Sequence, residues 1–172
     1  DFAGGTLTGN GEFGLPFVNN GATVAPGRNI GVLQFPSFTQ TTGTLSVEVG
    51  RGISGTNTDL IRVTGNASVA GKLKVRLLPG VGTNDQYVVL TTTARTGTFN
   101  PIEQPANGVV EAAYSTTNVV LNLKELFQGS APTITAEPID LTLNTGGSGS
   151  FHAAVTGSDP ITFRWQKNGA DI

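Results

Sequence analysis

Short apolar runs recur at a nearly fixed interval along the first two thirds of this chain. They include Gly31-Val-Leu-Gln-Phe35, Leu45-Ser-Val-Glu-Val49, Leu60-Ile-Arg-Val63, Leu73-Lys-Val-Arg-Leu77 and Tyr87-Val-Val-Leu90. Gly108-Val-Val-Glu111 and Val119-Val-Leu-Asn-Leu123 follow. With Leu33, Val47, Ile61, Leu73 and Val88 as centres, the steps are 14, 14, 12 and 15 residues. Several runs alternate, as in Leu45, Val47 and Val49 against Ser46 and Glu48, a period of two that buries one face of a strand. Regularly spaced short strands of this kind build a sandwich, a barrel or a β-solenoid.

Composition narrows the field. Gly and Thr each number 24 in 172 residues and only 13% are charged, which disfavours helical bundles, coiled coils and a doubly wound sheet. Ten Lys and Arg and a pI of 5.3 give no basic footprint for nucleic acid. No stretch approaches eighteen apolar residues, so no membrane-spanning helix is expected. Without Cys there is no disulfide framework, thiol nucleophile or thiolate metal site. The chain opens at Asp1 with no charged leader and apolar segment, so any signal peptide is expected to be removed or to lie upstream.

Among the all-β options, the uneven Gly-rich linkers and the lack of tight two-residue hairpin turns favour a solenoid. Each coil then adds its strands to the last, and the inward apolar residues form a column. In Lys72-Leu-Lys-Val-Arg-Leu77 this places Leu73, Val75 and Leu77 inside and three cations outside. Glu48 and Arg62 are candidates for an outer charge ladder, or simply part of a solvated face.

The pattern changes near residues 124–131. Beyond it, Pro132 and Pro138 flank an extended edge segment, followed by a strand from Ser150 to Val155 and another in Pro160-Ile-Thr-Phe-Arg-Trp-Gln166, closed by the turn Lys167-Asn-Gly169. Two domains are expected, 1–128 and 132–172.

Gly21-Ala-Thr-Val-Ala-Pro-Gly27 through Leu33, Thr44-Leu-Ser-Val-Glu-Val49, Asp59-Leu-Ile-Arg-Val-Thr-Gly65, Ala67 to Leu77, Tyr87-Val-Val-Leu90 and Gly97-Thr-Phe99 stand in a distinctive order. As an ordered set over residues 5–123 they resemble the passenger β-helix of autotransporter-type proteins. The resemblance implies a right-handed parallel β-helix displayed outside the cell, although no membrane barrel follows it here. Pro132-Thr-Ile, Pro138, Gly146-Gly-Ser148, Phe151, Gly157, Pro160, Trp165 and Lys167-Asn-Gly169 resemble the first half of a bacterial immunoglobulin-like domain. That likeness implies a partial β-sandwich with Trp165 on its core. The usual disulfide Cys of its second strand falls at Ala153, leaving packing alone to hold it.

Candidate chemistry is sparse. Gly9-Asn-Gly-Glu-Phe-Gly14 matches G-x-G-x-x-G, but Pro16 and Asn19-Asn-Gly21 follow where a dinucleotide site needs a helix. His152, the one His, reads as a solvent-facing strand residue opposite Phe151. The acids are Asp1, Glu12, Glu48, Asp59, Asp85, Glu103, Glu111, Glu125, Glu137, Asp140, Asp159 and Asp171, with no Asp-x-Asp or Asp-Asp of a polysaccharide-cleaving helix. Asp59 opens a strand and is read as a structural cap or a weak calcium ligand, while Gly146-Gly-Ser-Gly-Ser150 lacks the Asp of a calcium repeat. Phe13, Phe17, Phe35 and Phe38 are read as core or capping residues before sugar-stacking ones. Asn66-Ala-Ser68 is a sequon of a kind common by chance.

No catalytic, cofactor-binding or metal residue is therefore assigned, and no cofactor is expected. The reading is a non-enzymatic structural module of an extracellular bacterial surface, fibre or matrix protein: a rigid spacer or adhesin stalk. Its expected partners are further copies of itself, through strand donation or end-to-end stacking, or surface glycans. The alternative is a non-catalytic part of a polysaccharide-active enzyme or a sugar-binding protein.

Overall fold

The computed structural model describes residues 1–52, 55–127, 129, 132–158 and 161–171, none of them helical. Asp159 and Pro160 lie outside the described residues, as do 128, 130 and 131 of the expected boundary. The chain divides into two compact units, Asp1–Phe127 and Gln128–Ile172.

Among its described residues the first unit holds fourteen strands in chain order. The early ones are β1 (Thr6–Gly9), β2 (Gly11–Glu12), β3 (Phe17–Pro26), β4 (Val32–Phe35) and β5 (Phe38–Gly52). Next come β6 (Gly55–Thr58), β7 (Leu60–Val63), β8 (Asn66–Val69), β9 (Lys72–Leu77) and β10 (Gln86–Thr91). The last are β11 (Ala94–Gly97), β12 (Ile102–Glu103), β13 (Gly108–Tyr114) and β14 (Asn118–Leu126).

They form two sheets, and the chain passes back and forth between them. The first has the order β1-β3-β5-β8-β11, with β5 also pairing β9 and β6, and β9 pairing β12. The second runs β13-β14-β10-β7-β4-β2. Through most of the unit the pairing is parallel. Leu33 faces Ile61 and Ile61 faces Leu90 in one sheet, while Leu45 to Val49 face Leu73 to Leu77 in the other. The 14-residue interval thus joins strands of different sheets, and hydrogen-bonded partners lie two intervals apart.

The period-two reading predicts the inward side chains of this region. Leu45, Val47, Ile61, Val63, Leu73, Val75 and Leu77 are all buried. Lys74 and Arg76, on the opposite face of β9, are exposed. Full burial of Phe35, Phe38 or Tyr87 contributes on the order of 1.5–3 kcal/mol each. Phe13 stacks on Phe35 at 4.8 Å between centroids, and Phe17 lies 4.7 Å from Phe35 and 5.9 Å from Phe38. The four early aromatics therefore fill space between successive strands, with Phe13 and Phe17 half-buried.

Two corrections concern strand direction. Contrary to the parallel pairing expected of a β-helix, β5 and β6 pair antiparallel from Val49–Thr58 to Gly52–Gly55. The end of the unit is antiparallel as well, with β14 lying between β10 and β13. Its β13–β14 turn is a tight one at Thr116-Thr117, closed by the Ser115 N–H on Asn118 O at 3.1 Å and the Asn118 N–H on Ser115 Oγ at 3.0 Å. Serine and asparagine side chains replace the Asn-Gly signal that marks most such turns.

In the second unit, β15 (Thr133–Ala136) pairs antiparallel with β16 (Ala154–Thr156). A further pair, β17 (Gln166–Lys167) and β18 (Ala170–Asp171), closes through Asn168 and Gly169 at φ +53° and +82°. The strands expected over Ser150–Val155 and before Gln166 are thus shortened to 154–156 and 166–167. Phe151 is 56% and Trp165 43% exposed, so the described residues supply no opposing sheet to draw these runs into ladders.

Candidate functional site

Where β5, β7 and the segment between β3 and β4 approach, a cleft of about 260 Å³ is lined by Thr8, Arg28, Ser46, Glu48 and Asp59, among others. Asp59 sits at its base, 1% exposed. Its Oδ1 accepts the Gly31 N–H at 2.7 Å and its Oδ2 accepts the Glu48 N–H at 2.8 Å. The Asp59 N–H returns a bond to Glu48 O at 2.9 Å, and the Leu60 N–H reaches Gly31 O at 2.9 Å. One carboxylate therefore ties a strand of the first sheet to the segment that leads into the second. Residue type follows from geometry: a short acceptor at the start of a strand meets two backbone donors that the ladders leave over.

Burial pushes the Asp59 carboxyl up to about 6, with the Glu48 charge adding to the effect; the two backbone donors and Arg76 work against it. Glu48 is itself held by Arg76, its parallel neighbour on β9, through Arg76 Nε to Glu48 Oε1 at 2.8 Å and a second contact from the guanidinium. Glu48 Oε2 is buried and has no hydrogen-bond partner among the described residues. Both Asp59 oxygens are engaged by backbone donors, so the carboxylate joins two segments of the chain.

The remaining candidates lie apart. Glu48 does not meet Arg62, which belongs to the other sheet between Gln34 and Thr91. Two residues of the 9–14 motif, Gly11 and Glu12, form β2, and no helix follows it. His152 and Asn66 are exposed; Asn66 Oδ1 accepts from Thr93 Oγ1 at 3.2 Å. Glu103 is clamped by Lys72 at 3.0 Å and Lys74 at 2.6 Å, while Glu111 meets Lys124 at 3.2 Å. Such solvent-screened pairs contribute little to stability. Asp85 takes the Gly82 N–H at 2.7 Å, the Tyr87 hydroxyl at 3.0 Å and Arg51 at 3.0 Å. Among the described residues no group of three or more His, Cys, Asp or Glu is placed to hold a metal ion. No described helix is long and apolar enough to cross a membrane. In the second unit, Ile134, Val155, Phe163 and Trp165 line a separate cleft of about 360 Å³.

Reading the acids as scattered missed the Asp59–Glu48 pair. The signal was present: Gly31 and Asp59, like Glu48 and Arg76, stand 28 residues apart, two of the 14-residue steps. Comparison of the sequence with protein-family models and with curated proteins gives no match.

Proposed function

We propose that the chain is a structural module of an extracellular bacterial surface, fibre or matrix protein, serving as a rigid spacer or stalk without catalytic activity. In this reading the first unit is a right-handed parallel β-helix of the autotransporter-passenger kind. The second is the opening half of an immunoglobulin-like domain. Its partners in this reading are further copies of the chain, through strand donation or end-to-end stacking, or surface glycans.

The observation that supports the reading is the pair of parallel ladders. Thr23 pairs with Thr6 and Thr44, Thr44 with Lys72, and Leu73 with Leu45 and Ile102, so each strand is both template and cover for its neighbours. Stiffness then arises from repeated backbone hydrogen bonds and a continuous apolar column, which need no reactive group.

Single-molecule pulling tests this. The chain has no native Cys, so cysteine handles placed near Thr6 and Leu126 in the full chain are unique attachment points. Extension is expected in steps, each 28-residue repeat releasing about 90–100 Å of chain at roughly 3.3–3.6 Å per residue. Smooth extension with no force peak, like that of an unstructured linker, would overturn the proposal.

A further inference from the structure

We propose that the cleft beside loop 27–31 binds one uncharged sugar residue of a surface glycan, held through its hydroxyls by Arg28, Asn29 and Ser46. This rests on the reading of surface glycans as partners and gives them a place on the first unit. The loop is fixed at both ends: Thr8 Oγ1 donates to Gly27 O at 2.5 Å, and the Gly31 N–H donates to Asp59 Oδ1 at 2.7 Å. Gly27 has φ +76°, and a Cβ there would collide with Asn29 O, so the loop is as tight as glycine permits. The side chains around it are free by contrast. Arg28 and Asn29 are exposed, and neither they nor Ser46 makes a side-chain hydrogen bond or ion pair among the described residues. A rigid cleft with uncommitted polar groups binds at little cost in ordering.

Shape and chemistry select the ligand class. Thr8 pairs with Ala25, and Ser46 follows Leu45, the partner of Val24. The floor is therefore three small side chains on adjacent strands, about 10 Å across at roughly 4.8 Å per strand. The volume, about 260 Å³, lies below the roughly 300–1,000 Å³ of pockets for larger ligands and leaves room for a single ring. The guanidinium only donates, whereas the amide and the hydroxyl both donate and accept, which matches neighbouring sugar hydroxyls that do both. Glu48 also lines the cleft, and its Oε2 lacks a donor among the described residues, a lack that a hydroxyl entering the cleft fills. The charges cancel: Arg28 and Arg76 stand against Glu48 and Asp59, with Arg76 tied to Glu48. A charged ligand would meet its own sign here, and an uncharged one does not.

The test is a titration of the full nitrogen-15-labelled chain, followed by amide chemical shifts. The probes are the methyl glycosides of glucose, galactose and mannose, with sodium glucuronate and glucosamine hydrochloride as charged counterparts. At least one neutral glycoside should give saturable shifts at Gly27, Arg28, Asn29, Gly31 and Ser46, and should bind more tightly than either charged sugar. Arg28→Ala should raise its Kd about tenfold and Asn29→Ala about threefold to tenfold, with the remaining amide spectrum unchanged because both side chains are exposed. The site would be overturned by the absence of saturable shifts with all three glycosides, or by a charged sugar binding more tightly than any of them. An affinity that neither substitution lowers would overturn it too. Pulling separates this site from the spacer reading: force peaks without sugar binding remove the site alone, and sugar binding with smooth extension removes the spacer alone.

Discussion

The side-chain amide of Asn19 donates to Gln40 Oε1 at 3.0 Å inside the first unit, and Gln40 Nε2 passes the connection on to Ala70 O at 2.8 Å. Asn19 also accepts the Ala22 N–H at 2.9 Å, so two buried amides link β3, β5 and the residues before β9. In an apolar interior such groups specify register because each depends on the other for satisfaction. Gln40→Leu should destabilise the unit by about 1–3 kcal/mol through the donor and acceptors it orphans. Urea denaturation of Asn19→Ala, Gln40→Ala and the double variant should show a coupling of about 0.5–3 kcal/mol. Strict additivity would mean that the two amides act separately.

Asp85 and Tyr87 predict a loss of stability in acid. The Gly82 N–H, the Tyr87 hydroxyl and Arg51 hold the Asp85 carboxyl below its ordinary value. A depressed pKa contributes stability above the unfolded value that is lost as pH falls through the folded one. Tyr87→Phe removes one of these donors. Acid unfolding followed by circular dichroism should then begin at higher pH than in the unaltered chain.

The same pair governs the alkaline side. Burial first, then the bond to Asp85, raises the Tyr87 hydroxyl above its ordinary value of 10. The unfolded chain loses that proton first, so stability should decline once pH passes about 10. Alkaline denaturation of Tyr87→Phe should lack this component.

Gly71 has φ +69°, and a Cβ there would lie 2.8 Å from the Gly43 carbonyl oxygen. Gly71→Ala therefore combines left-handed strain with a backbone collision, and should cost more than about 1 kcal/mol in thermal or urea denaturation. Gly14→Ala, where a Cβ meets nothing within 4 Å, is the matched control and should be near neutral.

Purified chain should release no reducing ends from pectin-like or other polysaccharides. Both Asp59 oxygens are committed to backbone donors and Glu48 to Arg76. Reproducible release that Asp59→Asn abolishes would replace the structural reading with an enzymatic one.

Trp165 should fluoresce as a solvent-exposed indole in the monomeric chain. It is 43% exposed, with Phe163 at 61% and Ile134 at 55%, and leaving such side chains in water forgoes on the order of 1.5–3 kcal/mol each. Blue-shifted emission together with strongly protected amides across residues 132–171 would contradict this account of the second unit.

What the sequence discloses is the inside of each strand, and what it conceals is the partner. Leu45, Val47 and Val49 announce their face by alternation alone, because a period of two needs no knowledge of neighbours. Which strand lies beside them depends on how often the chain changes sheets, and the same 14-residue step serves one sheet or two. Direction is hidden as well: Thr116-Thr117 carries no strong turn signature, so β13 and β14 read like any other pair of runs. The buried Asp59 was legible as a strand opener but not as a bridge, since both its donors come from residues remote in sequence. In the second unit the apolar runs were legible but their ladders were not, because strand formation there depends on a cover that local pattern does not encode.

The second sheet of the first unit turns against its own direction at one strand and then turns back. On one side, β10 meets β7 running the same way; on the other it meets β14 running the opposite way. β13 is antiparallel to β14 in turn, and so returns to the sense of β10, β7, β4 and β2. The two edge strands, β2 and β13, therefore present the same chain direction, and a strand laid against either would pair in parallel by running in that common sense.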